Sequence, residues 1–257
     1  MKYDLSVIIP GIRVDRWPEI YQQLISSVGK YSFELICVGP FFPDKTLERS
    51  SNFIFLRDFG SPSRCFQMAS TLANGEYVMF LSDDGRVEAG AIGEALDLLK
   101  SKTQKDGITV LYSEGPNFSG IQDRTPEYWR AHHHDSLKLP LIKDTWKIAP
   151  HFIYNLQYFR DLGGLDCSWE HVNMNTHDLA FRIQRDGGVL YPSPRKIASM
   201  DWVPWDFNNK GAMQLAYELN DEPLFKKIYG GNVEPEINID YNNWRKSPIL
   251  WARRFKV

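Results

Sequence analysis

Two adjacent carboxylates, Asp83 and Asp84, stand directly after the apolar run Val78-Met79-Phe80-Leu81 and just before Gly85. A continuous apolar run bounded by turn residues predicts a strand buried on both faces of a parallel sheet. Ser82-Asp83-Asp84-Gly85 then lies at the carboxyl end of that strand, where open α/β sheets bind ligands. Neighbouring carboxylates repel each other unless solvent or a cation intervenes. A hard divalent ion with oxygen ligands is the natural partner, and it would in turn hold a diphosphate. The plainer alternative is an Asp-Asp-Gly turn that caps the next helix.

Other reactive side chains offer less. His132, His133 and His134 are consecutive, so their side chains diverge from any regular helix or strand and cannot all face one metal; a solvated polar face is expected there. Cys37, Cys65 and Cys167 are scattered and odd in number, which argues against a disulfide framework and for a reducing compartment. The net charge of −2 gives no global basic field for nucleic acid. The chain enters a strand almost at once and has no apolar run of ~18 residues, so neither a leader nor a membrane span is expected.

The elements that must position Asp83 and Asp84 follow from the rest of the 257 residues. Leu5 to Ile9 reads as a first buried strand, closed by Pro10-Gly11. Trp17-Pro18 opens a helix whose stripe is Ile20, Leu24 and Val28, ended by Gly29. Phe33 to Val38 is a second strand, ended by Gly39-Pro40, so the first two strands form a parallel pair with a right-handed crossover. An irregular loop over 39–51 and a short strand at Phe53 to Leu56 follow. Ser61-Pro62 starts a helix with Cys65, Ala69, Leu72 and Ala73 inward. After the Asp-Asp strand come a helix through Ile92 to Leu99 and a strand at Ile108 to Tyr112. Residues 113–150 lose periodicity, with a short helix expected near Thr125-Pro126. Strands at 151–154 and 189–191, helices at 155–162 and from Asn175-Asp178 to Gly187, and a helix over Gly211 to Leu219 complete the pattern. Such alternation means an α/β fold with a mainly parallel sheet. The tail from Asn243 to Lys256 is basic and aromatic; it packs back on the domain, or lies on a membrane surface or an anionic acceptor.

Taken together, Ser6-Val7-Ile8-Ile9-Pro10, Glu34 to Val38, Ala73 to Asp84, Leu162-Gly163-Gly164-Leu165-Asp166 and Asp178-Leu179-Ala180-Phe181-Arg182 resemble a family 2 glycosyltransferase of the GT-A fold. The resemblance runs over roughly residues 4–195. It implies a Rossmann-like, mainly parallel sheet flanked by helices, with a small C-terminal extension. Residues 1–200 would form the catalytic domain, split into a nucleotide-binding half (1–112) and an acceptor-side half (113–200), and 201–257 the extension. The implied reaction is inverting transfer of a hexose-type sugar from a nucleoside diphosphate sugar, UDP-sugar favoured, to a glycan or lipid-linked acceptor. The implied cofactor is a divalent cation, Mn²⁺ or Mg²⁺, and the implied location is cytoplasmic, with membrane association the alternative. The chemistry agrees: diphosphate leaves well only once its charge is neutralised, and inversion needs a base for the acceptor hydroxyl on the far side of the sugar.

The family's Asp-x-Asp falls on Ser82, Asp83 and Asp84. Asp84 takes the metal position; Ser82 replaces the first carboxylate, which leaves nucleoside contacts to Asp83 or elsewhere. Pro10, Gly11 and Arg13 match the loop around the base, and Gly39 stands where the family has acidic residues. Ser61 opens the helix that borders the diphosphate. Arg64 reaches a phosphate or is an exposed helix charge, and Gln67 replaces a usual Asn. The family's acidic pair falls on Asn175 and Thr176, which moves the base role to Asp178, with Glu170 as substitute; a simple helix-dipole role is the other reading of Asp178. Trp169 and His171, and further on Trp202 and Trp205, offer acceptor platforms, with core packing the alternative for Trp169.

Three other classes compete. A nucleotide- or carbohydrate-binding GT-A-like protein without turnover would account for the missing carboxylates. A nucleotidyltransferase wants a Gly-rich basic loop after the first strand, where this chain has Pro10-Gly11-Ile12-Arg13. A dinucleotide-dependent dehydrogenase lacks its glycine fingerprint there.

Overall fold

The computed structural model describes residues 2–114, 147–200, 207–229 and 236–255. Among these, seven strands form one sheet in the order β3-β2-β1-β4-β8-β6-β9. The first four are Tyr3–Pro10 (β1), Phe33–Gly39 (β2), Phe53–Arg57 (β3) and Gly75–Phe80 (β4), all parallel. Phe152–Asn155 (β8) runs antiparallel between β4 and Gly107–Thr109 (β6), and Leu190–Pro192 (β9) is parallel to β6. The sheet is therefore mainly parallel and the architecture α/β, as the alternation of elements requires. A small second sheet, β5-β10-β7, joins Gly85–Val87 (β5), Ala198–Met200 (β10) and Tyr112–Glu114 (β7). Its three-residue strands carry no periodicity that a sequence could announce.

Successive residues of β1 face opposite sides of the sheet, and both sides are buried. Leu5, Val7 and Ile9 enter the core on one face, and Ile8 enters it on the other with Ile36, Val38, Val78 and Phe80. Helices Trp17–Ser27 (α1) and Ala91–Lys100 cover the first face through Ile20, Leu24, Ile92, Ala95 and Leu96. Helices Pro62–Ser70, Leu156–Asp161 and part of Val172–Arg185 cover the second through Phe66, Ala69, Phe159, Leu179 and Ile183. Ser61 caps its helix by accepting from the Arg64 amide at 3.3 Å.

Several boundaries differ from expectation: the strand expected over Ile108 to Tyr112 splits into β6 and β7 of different sheets, and the helix expected over Gly211 to Leu219 runs Phe207–Ala216 before a π turn. The loop after β2 contains a helical turn, Lys45–Glu48, capped by Asp44 through the Thr46 amide at 2.7 Å. The helix expected from Asn175–Asp178 begins at Val172, because His171 caps it by accepting from the Asn173 amide at 3.2 Å. The Asp221 carboxylate holds the entering chain, accepting from the amides of Glu170 at 2.9 Å and His171 at 2.7 Å. Asp221 closes a single π turn, Tyr217–Asp221, between helices Phe207–Ala216 and Glu222–Tyr229.

The segment 236–255 lies against the domain. Gln67 is fully buried; its amide donates to the carbonyls of Gly163 at 3.0 Å and Tyr241 at 2.9 Å and accepts from the Leu165 amide at 2.7 Å. Asn243 reaches the Cys167 amide at 2.9 Å and the Leu165 carbonyl at 2.9 Å. Trp251 is buried, and its amide donates to the Phe59 carbonyl at 2.9 Å. The tail's aromatic side is thus largely spent inside, while Lys246 and Ile249 face solvent. No helix of the described residues is long and apolar enough to cross a membrane.

Gly163 and Gly164 adopt φ of 85° and 67°, and a Cβ on Gly163 would collide with the Ile239 carbonyl. Gly187 has a similar φ of 87° but open space around it. Gly187→Ala should cost only the left-handed backbone, about 1–2 kcal/mol. Gly163→Ala must also displace the 236–255 segment and should cost clearly more in urea unfolding. Equal losses for the two variants would show that the close approach is not a constraint.

Candidate functional site

The carboxyl ends of β1, β2 and β4 meet in three short loops. Asp83 joins them: its Oδ2 accepts from the amides of Ile12 at 2.6 Å and Arg13 at 2.8 Å, and its Oδ1 from the Arg13 guanidinium at 2.5 Å. Both oxygens are charge-assisted acceptors for fixed donors, which folds the β1 loop down on the β4 end. Gly11 is required by this arrangement, since a Cβ there would lie 2.7 Å from Asp83 Oδ2. A Cβ on Gly39 would strike the Gly11 carbonyl.

These loops floor a cleft of about 360 Å³. Pro10, Gly11, Arg13, Gly39, Ser82, Asp83 and Asp84 line it, together with Asp58, Tyr112 and His151. The capped start of helix Val172–Arg185 contributes His171, Asn173 and His177, and the late segment contributes Arg254 and Phe255.

Asp84 is half-buried and accepts a hydrogen bond from the Ser82 hydroxyl. Burial, with the Asp83 charge beside it, raises its pKa despite Ser82 and Arg13. A carboxylate so placed is stabilised by a cation. Among the described residues no three His, Cys, Asp or Glu side chains converge on one point. Small divalent ions that carry diphosphates commonly take only one or two protein carboxylates, the phosphates and water filling the rest. Asp84 suits that mode as the protein ligand.

Several residues singled out in the sequence lie elsewhere. Arg64 is buried: its Nε meets Asp58 at 3.1 Å, and its Nη1 donates to the carbonyls of Trp244 and, at 3.0 Å, Ser247. It is neither an exposed helix charge nor a free phosphate ligand. Ser61 and Gln67 are occupied by the cap and the Gly163 turn described above. Trp169 is fully buried, edge-on to Phe225 at 5.9 Å, so its ring is core and not a platform. Glu170 accepts from the Trp251 indole at 3.1 Å and from the Arg253 guanidinium. Neither residue lines the cleft, whereas His171 does. Trp202, Trp205, the Thr125-Pro126 helix and His132–His134 fall outside the described residues.

Asp178 also sits behind the cleft. The early helix start places it two turns in, on the core side. It is 5% exposed, pairs with the Arg182 Nε at 2.9 Å and accepts from the Tyr229 hydroxyl. Burial raises its pKa against the pull of Arg182 and Tyr229. Arg182 in turn donates to the Leu162 carbonyl at 2.8 Å, so the pair ties the helix to the Gly163-Gly164 turn. Asn175, at the acidic-pair position, is locked both ways to Asp166, at 3.1 and 2.9 Å, and Thr176 donates to the Asn173 carbonyl at 2.9 Å.

Sequence reasoning missed His151 and His177. His177 stands one residue before Asp178, and on a helix that single step rotates a side chain from core to cleft. His151 sits between Pro150 and an apolar strand, with no motif to mark it. It is buried, stacked on Phe80 at 5.1 Å between ring centres, and burial alone pushes its pKa down to about 3. His171 is lowered to about 4 for the same reason.

No protein-family model matches the chain, and no curated protein matches it in sequence. Solved structures do match. The S. aureus TarS fragment 1-349 crystallised with UDP aligns at a TM-score of 0.54 and 16% identity, over 85% of this chain and 66% of that one. The same fragment with UDP-GlcNAc gives 0.55 and 14%, over 94% and 72%. A TarS structure of which this chain spans only 40% gives 0.55 and 17%. At these identities the likeness shows the fold, which is GT-A-like.

The neutral, buried His151 has a consequence for acid stability. The unfolded chain protonates histidine near pH 6.5, while the folded chain holds this imidazole neutral down to about 3. The unfolded state therefore binds more protons in that window, and stability present above pH 6.5 is lost as the pH falls. The loss at pH 5 should be about 2 kcal/mol from His151. His151→Phe should flatten the urea-midpoint profile between pH 7.5 and 5 by that amount; an unchanged slope would show that the imidazole titrates normally.

Proposed function

We propose that this protein is an inverting, nucleotide-sugar-dependent glycosyltransferase of the family 2 type, with a UDP-sugar as donor and a glycan or lipid-linked hydroxyl as acceptor. The observation that carries the reading is the cleft at the ends of β1, β2 and β4, with a lone cation-seeking carboxylate, Asp84, on its floor. The TarS structures with UDP and UDP-GlcNAc, on a similar fold, support the donor class. In this reading residues 1–112 hold the nucleotide, and 113–200 with the 201–257 extension face the acceptor.

Asp84 would hold Mn²⁺ or Mg²⁺, which supplies charge neutralisation for the departing diphosphate. Pro10, Gly11, Arg13 and Gly39 bound the nucleotide end, and Asp83 keeps their loops in place. The acceptor proton needs a group that faces the cleft. Asp178 would have to leave Arg182 and Tyr229 to serve, and Glu170 is bound to Trp251 and Arg253. We therefore assign proton acceptance to His177, with His171 beside it on the acceptor side, and give Asp178 a positioning role through its ion pair.

Calorimetric titration with UDP, GDP, CDP and dTDP, with and without Mn²⁺, tests the donor class. Metal-dependent binding of one nucleotide, lost in Asp84→Ala, is expected; no binding of any would sink the reading. In a donor-turnover assay His177→Gln should lower kcat at least about 100-fold while nucleotide binding persists. Asp178→Asn should chiefly lower stability, by about 3–5 kcal/mol, because it strands a buried Arg182. If Asp178→Asn instead keeps wild-type stability and loses turnover, the base is Asp178.

One observation favours a second reading. The acidic-pair position holds Asn175 and Thr176, both committed to structure, which suits a nucleotide- or carbohydrate-binding protein without turnover. Tight, metal-dependent nucleotide binding with no sugar transfer or donor hydrolysis would select it.

A further inference from the structure

His151 is a buried cleft residue both of whose polar ring atoms the fold itself leaves unused. Both ring nitrogens lack a hydrogen-bond partner, although the residue is only 7% exposed. Buried polar groups nearby behave otherwise: Gln67, Asn175 and Arg182 are each held by several bonds. An unpaired buried imidazole costs stability, and a protein keeps such a group where a ligand completes it.

The backbone sets its place. In the antiparallel β4–β8 ladder Met79 faces Ile153, and His151, just before β8, lines the same cleft as Ser82, Asp83 and Asp84. Its carbonyl accepts from the Val110 amide at 3.0 Å, which fixes the main chain. Phe80 stacks on the ring at 5.1 Å and 22°, and Tyr112 meets it edge-on at 5.3 Å and 70°. The imidazole is thus held in one orientation, next to the carboxylate that faces the diphosphate in the proposed function.

The chemistry of the group points to its partner. A neutral imidazole offers one N–H donor and one acceptor nitrogen. A diphosphate is acceptor-only and is better met by cations and amides. A hydroxyl both gives and accepts, and sugar C–H faces suit the aromatic flanks. We propose that His151 is a specificity residue that hydrogen-bonds a hydroxyl of the sugar carried by the nucleotide. This rests on the nucleotide-sugar reading above.

The test compares UDP, UDP-GlcNAc and UDP-glucose by calorimetry, in Mn²⁺, on wild type, His151→Phe and His151→Asn, with thermal melting of each. His151→Phe keeps the ring stack and removes both nitrogens. It should bind UDP within twofold of wild type but lose about tenfold or more in affinity for the sugar nucleotide that wild type binds best. Its Tm should equal or exceed that of wild type, since the unpaired group is gone. His151→Asn, which again offers a donor and an acceptor, should recover part of the sugar-nucleotide affinity. Equal losses for UDP and the sugar nucleotide, no loss of either, or a lowered Tm in His151→Phe would each overturn the proposal. Failure of the wild type to bind UDP or any sugar nucleotide would overturn the function reading itself, a different and separately visible result.

Discussion

Everything in the cleft depends on one carboxylate that does not face a ligand. Asp83 spends both oxygens on the Ile12 and Arg13 amides and the Arg13 guanidinium, and so binds the first loop of the sheet to the end of its fourth strand. The approach is close enough that Gly11 and Gly39 have no room for a side chain. Parallel strands deliver their carboxyl ends to one edge of a sheet, but they do not by themselves make a shaped surface there. Here a charge-assisted clamp and two bare backbones do so. Asp84, the next residue, is then presented on a rigid floor rather than on a loose turn.

The remaining charges divide between structure and cleft. Arg64 with Asp58, Arg182 with Asp178 and Tyr229, and Glu170 with Trp251 and Arg253 are each closed sets. Buried pairs of this kind add little net stability, yet losing one partner is expensive, so they fix geometry more than they strengthen it. Along the cleft lie the strand-end carboxylate of Asp84, the imidazoles of His151, His171 and His177, and the guanidinium of Arg254. Burial holds two of these imidazoles, His151 and His171, neutral well below the ordinary histidine range.

The sheet was legible in the sequence because its signals are local: apolar runs, Gly-Pro stops and the Ser61-Pro62 cap each report on a few neighbouring residues. The Asp83-Asp84 strand end was legible for the same reason. Side-chain partners were not. Arg64 looked like a helix charge because Asp58 precedes it by a turn that carries no motif, and because Trp244 and Ser247 are 180 and 183 positions away. Asp178 looked available because a helix start set three residues too late would leave it in the first turn. The actual start is dictated by His171 and by Asp221, about fifty residues further on. The antiparallel direction of the central strand β8 was equally hidden, since strand direction is a property of the return path and not of the residues Phe152 to Asn155.

The segment 236–255 has a consequence for how the molecule comes into being. Gln67, Arg64 and Cys167 all wait for partners in that segment, and Arg254 and Phe255 complete the cleft. The sheet can pair once β9 has left the ribosome, whereas the cleft must wait for residues synthesised after every strand. A nascent chain therefore passes through a stage with a formed sheet and an open, incomplete site. Because this segment docks onto a sheet already paired, it is a latch added to a finished frame.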